Sequence, residues 1–292
     1  MSGSVIALGM FDGMHRGHRK LISETVEYAR ETGRVSYVYS FSNHPLSLID
    51  PKMAPPMLLT DGERSRAIKQ SGADRIIFSQ FDEFIMNTEP DDFINMLKEK
   101  YDMRCAVVGF NYTFGKNCEG NTEFLIENAS RLGIEVIAIP PVMYEGEVVS
   151  SSRIRNCIIN GEIEKANSLL MSEYEISAEV VKNKGLGAKI GFPTANIENV
   201  EGKTIPKDGT YETRSAILGE NYKSVTNIGR NPTFNGMKQT IETHILDFCG
   251  DIYGKRLNIE FIRRLRDCVR FNSAEALKEQ IWRDIGRVRN GD

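Results

Sequence analysis

The sequence has no CxxC pair. Its five cysteines, Cys105, Cys118, Cys157, Cys249 and Cys268, are scattered and odd in number, which argues against a disulfide framework or a structural zinc site and leaves reduced thiols. It has no basic surplus either: 37 Lys and Arg against 40 Asp and Glu give a net charge of -3, without the excess a nucleic-acid binder usually carries. No apolar run approaches the roughly 20 residues of a membrane span. Internal repeats and low-complexity linkers are also missing. The opening MSGSVIALGMFDG lacks a basic segment, and its apolar run stops at Asp12, so it suits a first core strand better than a signal peptide. The expectation is a cytoplasmic protein, a monomer or weak homo-oligomer, whose partners are small molecules, with no nucleic acid and no membrane.

What is present is enough apolar material, 40% of 292 residues, for a large core in about two domains. Through residue 150, short apolar runs (VIALGM, RVSYVYSF, DRIIFSQF, CAVVGF, EVIAIPPV) alternate with amphipathic segments. The runs barely alternate in polarity, as buried strands do, and the pattern predicts a parallel sheet with helices on both faces. HRKLISETVEYARETG sets Leu21, Ile22, Thr25, Val26 and Ala29 on one helical face and ends at Gly33, while EPDDFINMLKEKYD opens with acidic residues suited to a helix N-terminus. SSSRIRNCIINGEIEKANSLLM reads as two short helices. From about residue 173 the period becomes two: YEISAEVV, GTYETRSAIL, YKSVTNI, QTIETHILDF and RLNIEFIRRL predict an antiparallel sheet or small barrel. SAEALKEQIWRDIGRVR, with a serine cap, predicts a closing helix on that barrel. The expected domains are 1–172 and 173–292.

Two of the four histidines lie in FDGMHRGHRKLI. A strand ends, Gly9 and Gly13 let the backbone turn, and His15 and His18 follow at i and i+3 around the first helical turn. A helix N-terminus attracts phosphate. Two imidazoles there can donate to a nucleotide's phosphates, with Gly17 leaving room for its approach. A capping histidine with an exposed neighbour, or a metal pair without an obvious third ligand, are the other readings. In the second half, KNKGLGAKIGFPTANI contributes a glycine-rich loop containing Gly187, then Thr194 and Asn196, whose oxygens suit hydrated Mg2+; a plain turn into a strand is the alternative. In QTIETHILDF, alternation separates Ile241, Thr243 and Ile245 from Glu242, His244 and Leu246 without showing which set is the core.

GMFDGMHRGH resembles the H-x-G-H signature of the nucleotidylyltransferase superfamily. FSNHP, VVGFNYTFGKNCEG, SSSRIR, GFPTANI, NIGRNPTF and IETHILDFCGDIYGK follow in the order seen in prokaryotic bifunctional riboflavin kinase/FAD synthetases, across almost the whole chain. The resemblance implies an α/β chain: an N-terminal Rossmann-like nucleotidylyltransferase domain that adenylylates FMN to FAD, then a C-terminal antiparallel β-barrel riboflavin kinase domain with a terminal helix. It implies ATP as co-substrate, Mg2+, and riboflavin, FMN and FAD as substrates or products. By carry-over, His15 and His18 are catalytic, and Gly9, Phe11, Gly13, Gly17, Asn111, Ser150, Ser151, Arg155 and Gly187 bind ATP or phosphate. Phe114 offers an apolar face to the flavin. Glu242 is the base for the riboflavin 5′-hydroxyl, and Thr194 and Asn196 hold the metal. Arg266 is a flavin-side candidate, although an ordinary ion pair would explain it equally well. The chain departs from the family at Asn43 (usually proline), Ser152 (threonine), Asn183 (glycine) and Ala188 (arginine). Three other readings stay open: an FAD synthetase with a flavin-binding but inactive barrel, a non-catalytic flavin or nucleotide sensor, and a class I aminoacyl-tRNA synthetase relative.

Overall fold

The computed structural model describes residues 3–182, 187, 190–198, 201–233 and 236–291, with backbone alone over 231–238. Asn183 and Ala188 lie outside the described residues. The chain divides into two compact units, residues 1–151 and 152–292.

In the first unit, β1 (Ser4–Leu8) runs parallel to β2 (Val35–Phe41) on one side. On its other side runs β4 (Met103–Gly109), with β3 (Arg75–Ser79) beyond β2 and β5 (Glu135–Ile139) beyond β4. The five-stranded order is therefore β3-β2-β1-β4-β5. Successive residues of a strand point to opposite faces, and here both faces are covered. Val5, Ala7, Val38 and Val107 pack with Leu21, Ile22 and Ala29 of α1 (Arg16–Thr32) and Ile68 of α2 (Asp61–Gln70). Ile6, Leu8, Tyr39 and Val108 pack with Phe93, Ile94 and Leu97 of α3 (Pro90–Tyr101) and Leu125 and Ala129 of α4 (Thr122–Ala129). Thus the unalternating runs are strands because each side of each strand meets a helix. The chain steps from β1 outward through β2 and β3, then returns to the other side of β1. The crevice where a ligand can lie is thereby placed beyond the carboxyl ends of β1 and β4.

The second unit begins with α5 (Ser151–Asn160, its first residue counted with the first unit) and α6 (Ile163–Leu170). Its strands are β6 (Tyr174–Val181), β7 (Ala195–Ile197), β8 (Gly209–Ile217), β9 (Glu220–Thr233), β10 (Gly236–Ile245) and β11 (Arg256–Arg266). They close as a barrel in the order β6-β7-β10-β9-β8-β11. Asn167 fastens α6 to it, its amide donating to the Phe261 carbonyl and accepting from the Tyr174 N–H, each at 2.8 Å. The interior holds Ile197, Tyr211, Ile228, Ile241 and Phe261, and also five buried hydroxyls. Thr213 bonds Ser224 and Thr226, Ser215 bonds Ser224, and Thr226 bonds Thr243, all at 2.8–2.9 Å. The inner face of β10 is therefore Ile241, Thr243 and Ile245, and Glu242, His244 and Leu246 face outward. Leu246 is nevertheless buried, because α7 (Ala274–Asn290) covers that wall: Phe192, Val225, Leu246 and Leu265 pack against its Ile285 and Val288.

Ser273 caps α7 by accepting the Ala276 N–H at 3.1 Å. Arg266 of β11 holds the helix by a two-pronged ion pair to Asp284, with Nη2 to Oδ2 at 2.7 Å and Nε to Oδ2 at 3.0 Å, and Asp284 is only 1% exposed. Losing one partner of such a pair strands the other without compensation. Asp284→Ala should therefore cost on the order of 3 kcal/mol of barrel stability, read by urea unfolding through the fluorescence of Trp282, the chain's one tryptophan. An unchanged midpoint would show that the pair contributes nothing net.

Candidate functional site

The turn that follows β1 is held in a costly shape. Phe11 and Met14, both bulky and buried, have φ of 50° and 45°, and between them Gly13 has φ of 87°. Left-handed backbone costs an L-residue roughly 1–2 kcal/mol, so the surroundings must impose it. They do so with hydrogen bonds to Gly9, Met10 and Asp12. The Gly9 N–H donates to the Tyr39 carbonyl at 3.3 Å. The Met10 carbonyl accepts from Ser40 Oγ and Arg64 Nη1, each at 2.9 Å. The buried Asp12 carboxylate accepts from the Leu58 and Leu59 N–H groups at 2.9–3.1 Å, and the Asp12 carbonyl accepts from Ser151 Oγ at 2.8 Å.

His15 is the N-cap of α1. Its Nδ1 accepts the His18 N–H at 3.3 Å, which leaves the ring proton of the neutral form on Nε2. The two imidazoles stack, with centroids 3.6 Å apart at 18°, and His18 also meets the edge of Phe11 at 5.3 Å. Burial, then the neighbouring His15, hold His18 well below the ordinary imidazole value, so it is neutral near pH 7. Its Nδ1 is buried with no hydrogen-bond partner among the described residues. Gly17 is expected from sequence to make room for a nucleotide; the structure gives it another neighbour, since a Cβ there would come 3.2 Å from the His15 ring. Phe11, fully buried, touches the site through His18.

Asn111 lies just beyond the carboxyl end of β4 and is exposed. Phe114 is only 7% exposed, its ring packed among Phe93, Tyr112 and Phe124, so it is first a core residue. Arg155 is buried on α5, and Ser150 immediately precedes that helix. Asn43, in place of the usual proline, clamps the backbone of Phe81 with both amide atoms, at 2.8 and 2.9 Å. Sequence reasoning missed Arg64 as a site-supporting residue. Fully buried, it also donates to the Ser42 carbonyl and pairs with Asp61. The available signal was a charge on the helix stripe that carries the buried Ile68 four residues on.

In the barrel, Gly187, Thr194, Asn196 and Glu242 come together. Asn196 on β7 is the direct cross-strand partner of Glu242 on β10, which sets their side chains about 5 Å apart at Cβ on one face. Asn196 is 8% exposed and donates to the Thr194 carbonyl at 3.3 Å. The Glu242 carboxylate has no ion pair or hydrogen bond among the described residues, and its partial burial pushes its pKa above the ordinary carboxylate value. Thr194 lines a cavity of about 480 Å³ with Thr243, Phe248, Cys249 and Tyr253, a size that suits a small organic ligand. Arg266 lies three strands from Glu242 along the wall, roughly 14 Å at strand spacing, and is engaged by Asp284.

A strand–glycine–histidine–helix turn at the switch point of a parallel sheet defines a nucleotidylyltransferase-type enzyme, joined here to a separate closed barrel. Comparison with known proteins narrows this. The FAD synthetase family matches residues 1–153 and the riboflavin kinase family residues 170–291. A bifunctional riboflavin kinase/FMN adenylyltransferase of Bacillus subtilis is 33% identical over 96% of this chain and 90% of its own length. The Escherichia coli K12 protein of the same description is 32% identical over 97% of this chain and 90% of its own. A crystal structure described as a macrolide-efflux protein from Streptococcus pneumoniae superposes with a TM-score of 0.92 at 31% identity, covering 99% of this chain and 94% of that one. The chain belongs to the bifunctional riboflavin kinase/FMN adenylyltransferase family. Among the described residues no helix is long and apolar enough to cross a membrane.

Gly187 is required by its neighbours: a Cβ there would sit 2.4 Å from the Phe192 carbonyl oxygen and 3.1 Å from Thr194 Oγ1. Gly187→Ala should open this turn, displace Phe192 from the Trp282 ring it meets at 5.2 Å, and cost about 1–3 kcal/mol of barrel stability. A Trp282 emission spectrum and a urea midpoint identical to those of the parent would show that the turn absorbs the methyl without moving.

Proposed function

We propose that this chain makes both flavin cofactors, with adenylyl transfer in residues 1–172 and riboflavin phosphorylation in 173–292. The observation that carries the second assignment is the half-buried Glu242, without a hydrogen bond or ion pair among the described residues, directly across from Asn196. In the barrel, Glu242 takes the proton of the riboflavin 5′-hydroxyl as that oxygen attacks the γ-phosphorus of ATP and ADP leaves. A carboxylate whose pKa is raised by burial is a better base than a solvated one. In the sheet domain, an FMN phosphate oxygen attacks the α-phosphorus of ATP and pyrophosphate leaves. His15 donates through Nε2–H to the phosphates, and His18 stands beside it at the helix N-terminus. The work is positioning and charge stabilisation.

The donor set in the barrel suits Mg2+, which takes a few protein oxygens and completes its shell with water and substrate phosphates. The Thr194 hydroxyl and the Asn196 amide oxygen would hold it, and when bound it would draw charge from the ATP phosphates. Asn111, Ser150 and Ser151 complete the adenylylation pocket in this reading, with Phe114 backing the flavin.

The decisive experiment incubates the protein with ATP, Mg2+ and either riboflavin or FMN, oxidised and then reduced, and resolves the flavins by chromatography. FAD from both starting points is expected; FAD from FMN alone would reduce the barrel to a flavin-binding module, and no FAD under any condition would end the proposal. Two variants separate the sites. Glu242→Gln should lower riboflavin phosphorylation by about 10²–10⁴-fold while FAD formation from FMN continues. Its stability has a definite sign: a carboxyl with a raised folded pKa favours the native state most when protonated. The parent should thus lose stability relative to Glu242→Gln as pH rises from below the ordinary carboxylate value through the raised one, which melting curves between pH 4 and 8 would reveal. His18→Ala should lower FAD formation by about 10²–10³-fold with phosphorylation intact, and equal effects on both reactions would contradict the separation.

A further inference from the structure

His244 stands two residues beyond Glu242 on the same outward face of β10, and none of the chemistry above uses it. Its Nδ1 lies 2.8 Å from the carbonyl oxygen of Pro193. A carbonyl only accepts, so Nδ1 carries the proton and the imidazole is the donor. The same ring meets Phe192 edge-on at 5.7 Å and 85°. Phe192 is 4% exposed and in turn meets Trp282 of α7 at 5.2 Å and 73°. One side chain therefore grips both residues that precede Thr194, by a hydrogen bond to one and a ring contact with the other.

Among the described residues that turn has few other hydrogen bonds. Proline has no N–H to donate, and the residue before it is held extended by steric clash. The Phe192 N–H donates to the Gly187 carbonyl at 2.8 Å, which ties the turn back to the glycine loop. His244 ties it to the strand that carries Glu242. Because β7 pairs with β10 only over residues 195–197, Thr194 lies outside the ladder and depends on such side-chain contacts for its position.

We propose that His244 is a positioning residue for riboflavin phosphorylation: its Nδ1–H holds the Pro193 carbonyl and so keeps Thr194 and Asn196 in place opposite Glu242. This rests on the kinase reading of the barrel. A displacement of about 1 Å at a reacting centre costs up to about 10²-fold, so the contact has ample leverage without touching substrate.

The test compares the parent with His244→Leu, His244→Asn and His244→Gln, measuring KM for ATP and kcat for riboflavin phosphorylation, Trp282 emission, and FAD formation from FMN in the same preparations. Asparagine Nδ2 occupies nearly the position of histidine Nδ1, leucine has no donor, and the longer glutamine carries its donor past the carbonyl. The expected result is a rise of about tenfold or more in KM for ATP in the leucine chain, a shifted Trp282 emission, recovery towards the parent in His244→Asn but not in His244→Gln, and unchanged FAD formation throughout. If the leucine chain fails to fold, the asparagine and glutamine chains still decide, since the first must outperform the second. Phosphorylation kinetics in His244→Leu equal to the parent's, or asparagine no better than glutamine, would overturn the proposal while leaving the kinase reading standing. A parent protein without phosphorylation activity would end both.

Discussion

A polar group buried without a partner costs about 1–3 kcal/mol, and much of what is specific in this protein follows from how that cost is avoided. Arg64, fully buried, donates to Met10, Ser40 and Ser42. Asp12, also buried, accepts from Leu58 and Leu59. Satisfying these two charges requires the turn after β1, the end of β2 and the segment before α2 to take one arrangement, and that arrangement imposes positive φ on Phe11 and Met14. The strained turn is the consequence of satisfied hydrogen bonds around it. In the barrel, five interior hydroxyls bond one another, and Asp284 is matched by Arg266. The rule is not kept everywhere among the described residues: His18 Nδ1, Arg19 Nε, Arg64 Nε and Asn258 Oδ1 are buried without a hydrogen-bond partner.

The two halves position their proposed reactive groups by different means. In the sheet domain the histidines ride on the first turn of α1, whose direction is set by packing of Leu21, Ile22 and Ala29 on the sheet. A Cβ at Gly17 would come within 3.2 Å of the His15 ring. In the barrel the proposed reactive groups lie on the outer wall, on a strand pair only three residues long, and Phe192, two residues ahead of Thr194, is packed between that wall and α7. The first arrangement is rigid by secondary structure, the second by side-chain contacts across elements, and the second should be the more sensitive to single substitutions.

Much was legible in the sequence, for physical reasons that can be named. The five strands of the sheet were readable because residues buried on both sides leave unbroken apolar runs, and α1 because its apolar residues recur at helical spacing and stop at a glycine. The long strands of the barrel were readable from their period of two. Which side of β10 is the core was not, because the barrel interior contains Thr213, Ser215, Ser224, Thr226 and Thr243, while the apolar Leu246 is buried on the outside under α7. Polarity predicts burial only when the covering element is known. Arg64 and His244 were invisible as supporting residues for the same reason, since their partners are backbone carbonyls 54 and 51 positions away.

The sequence by itself determined the order of elements, the change from an α/β half to a β half, the family, and the residue types from which each site is assembled, because these depend on local periodicity and on motifs contiguous in the chain. Only the tertiary structure decided that Asn196 faces Glu242, that Phe114 is packed in the core, that Arg266 is bound to Asp284, and that Gly17 lies against the His15 ring. Each of these depends on register and on contacts between distant segments, and no pattern within one segment can encode what another will place beside it.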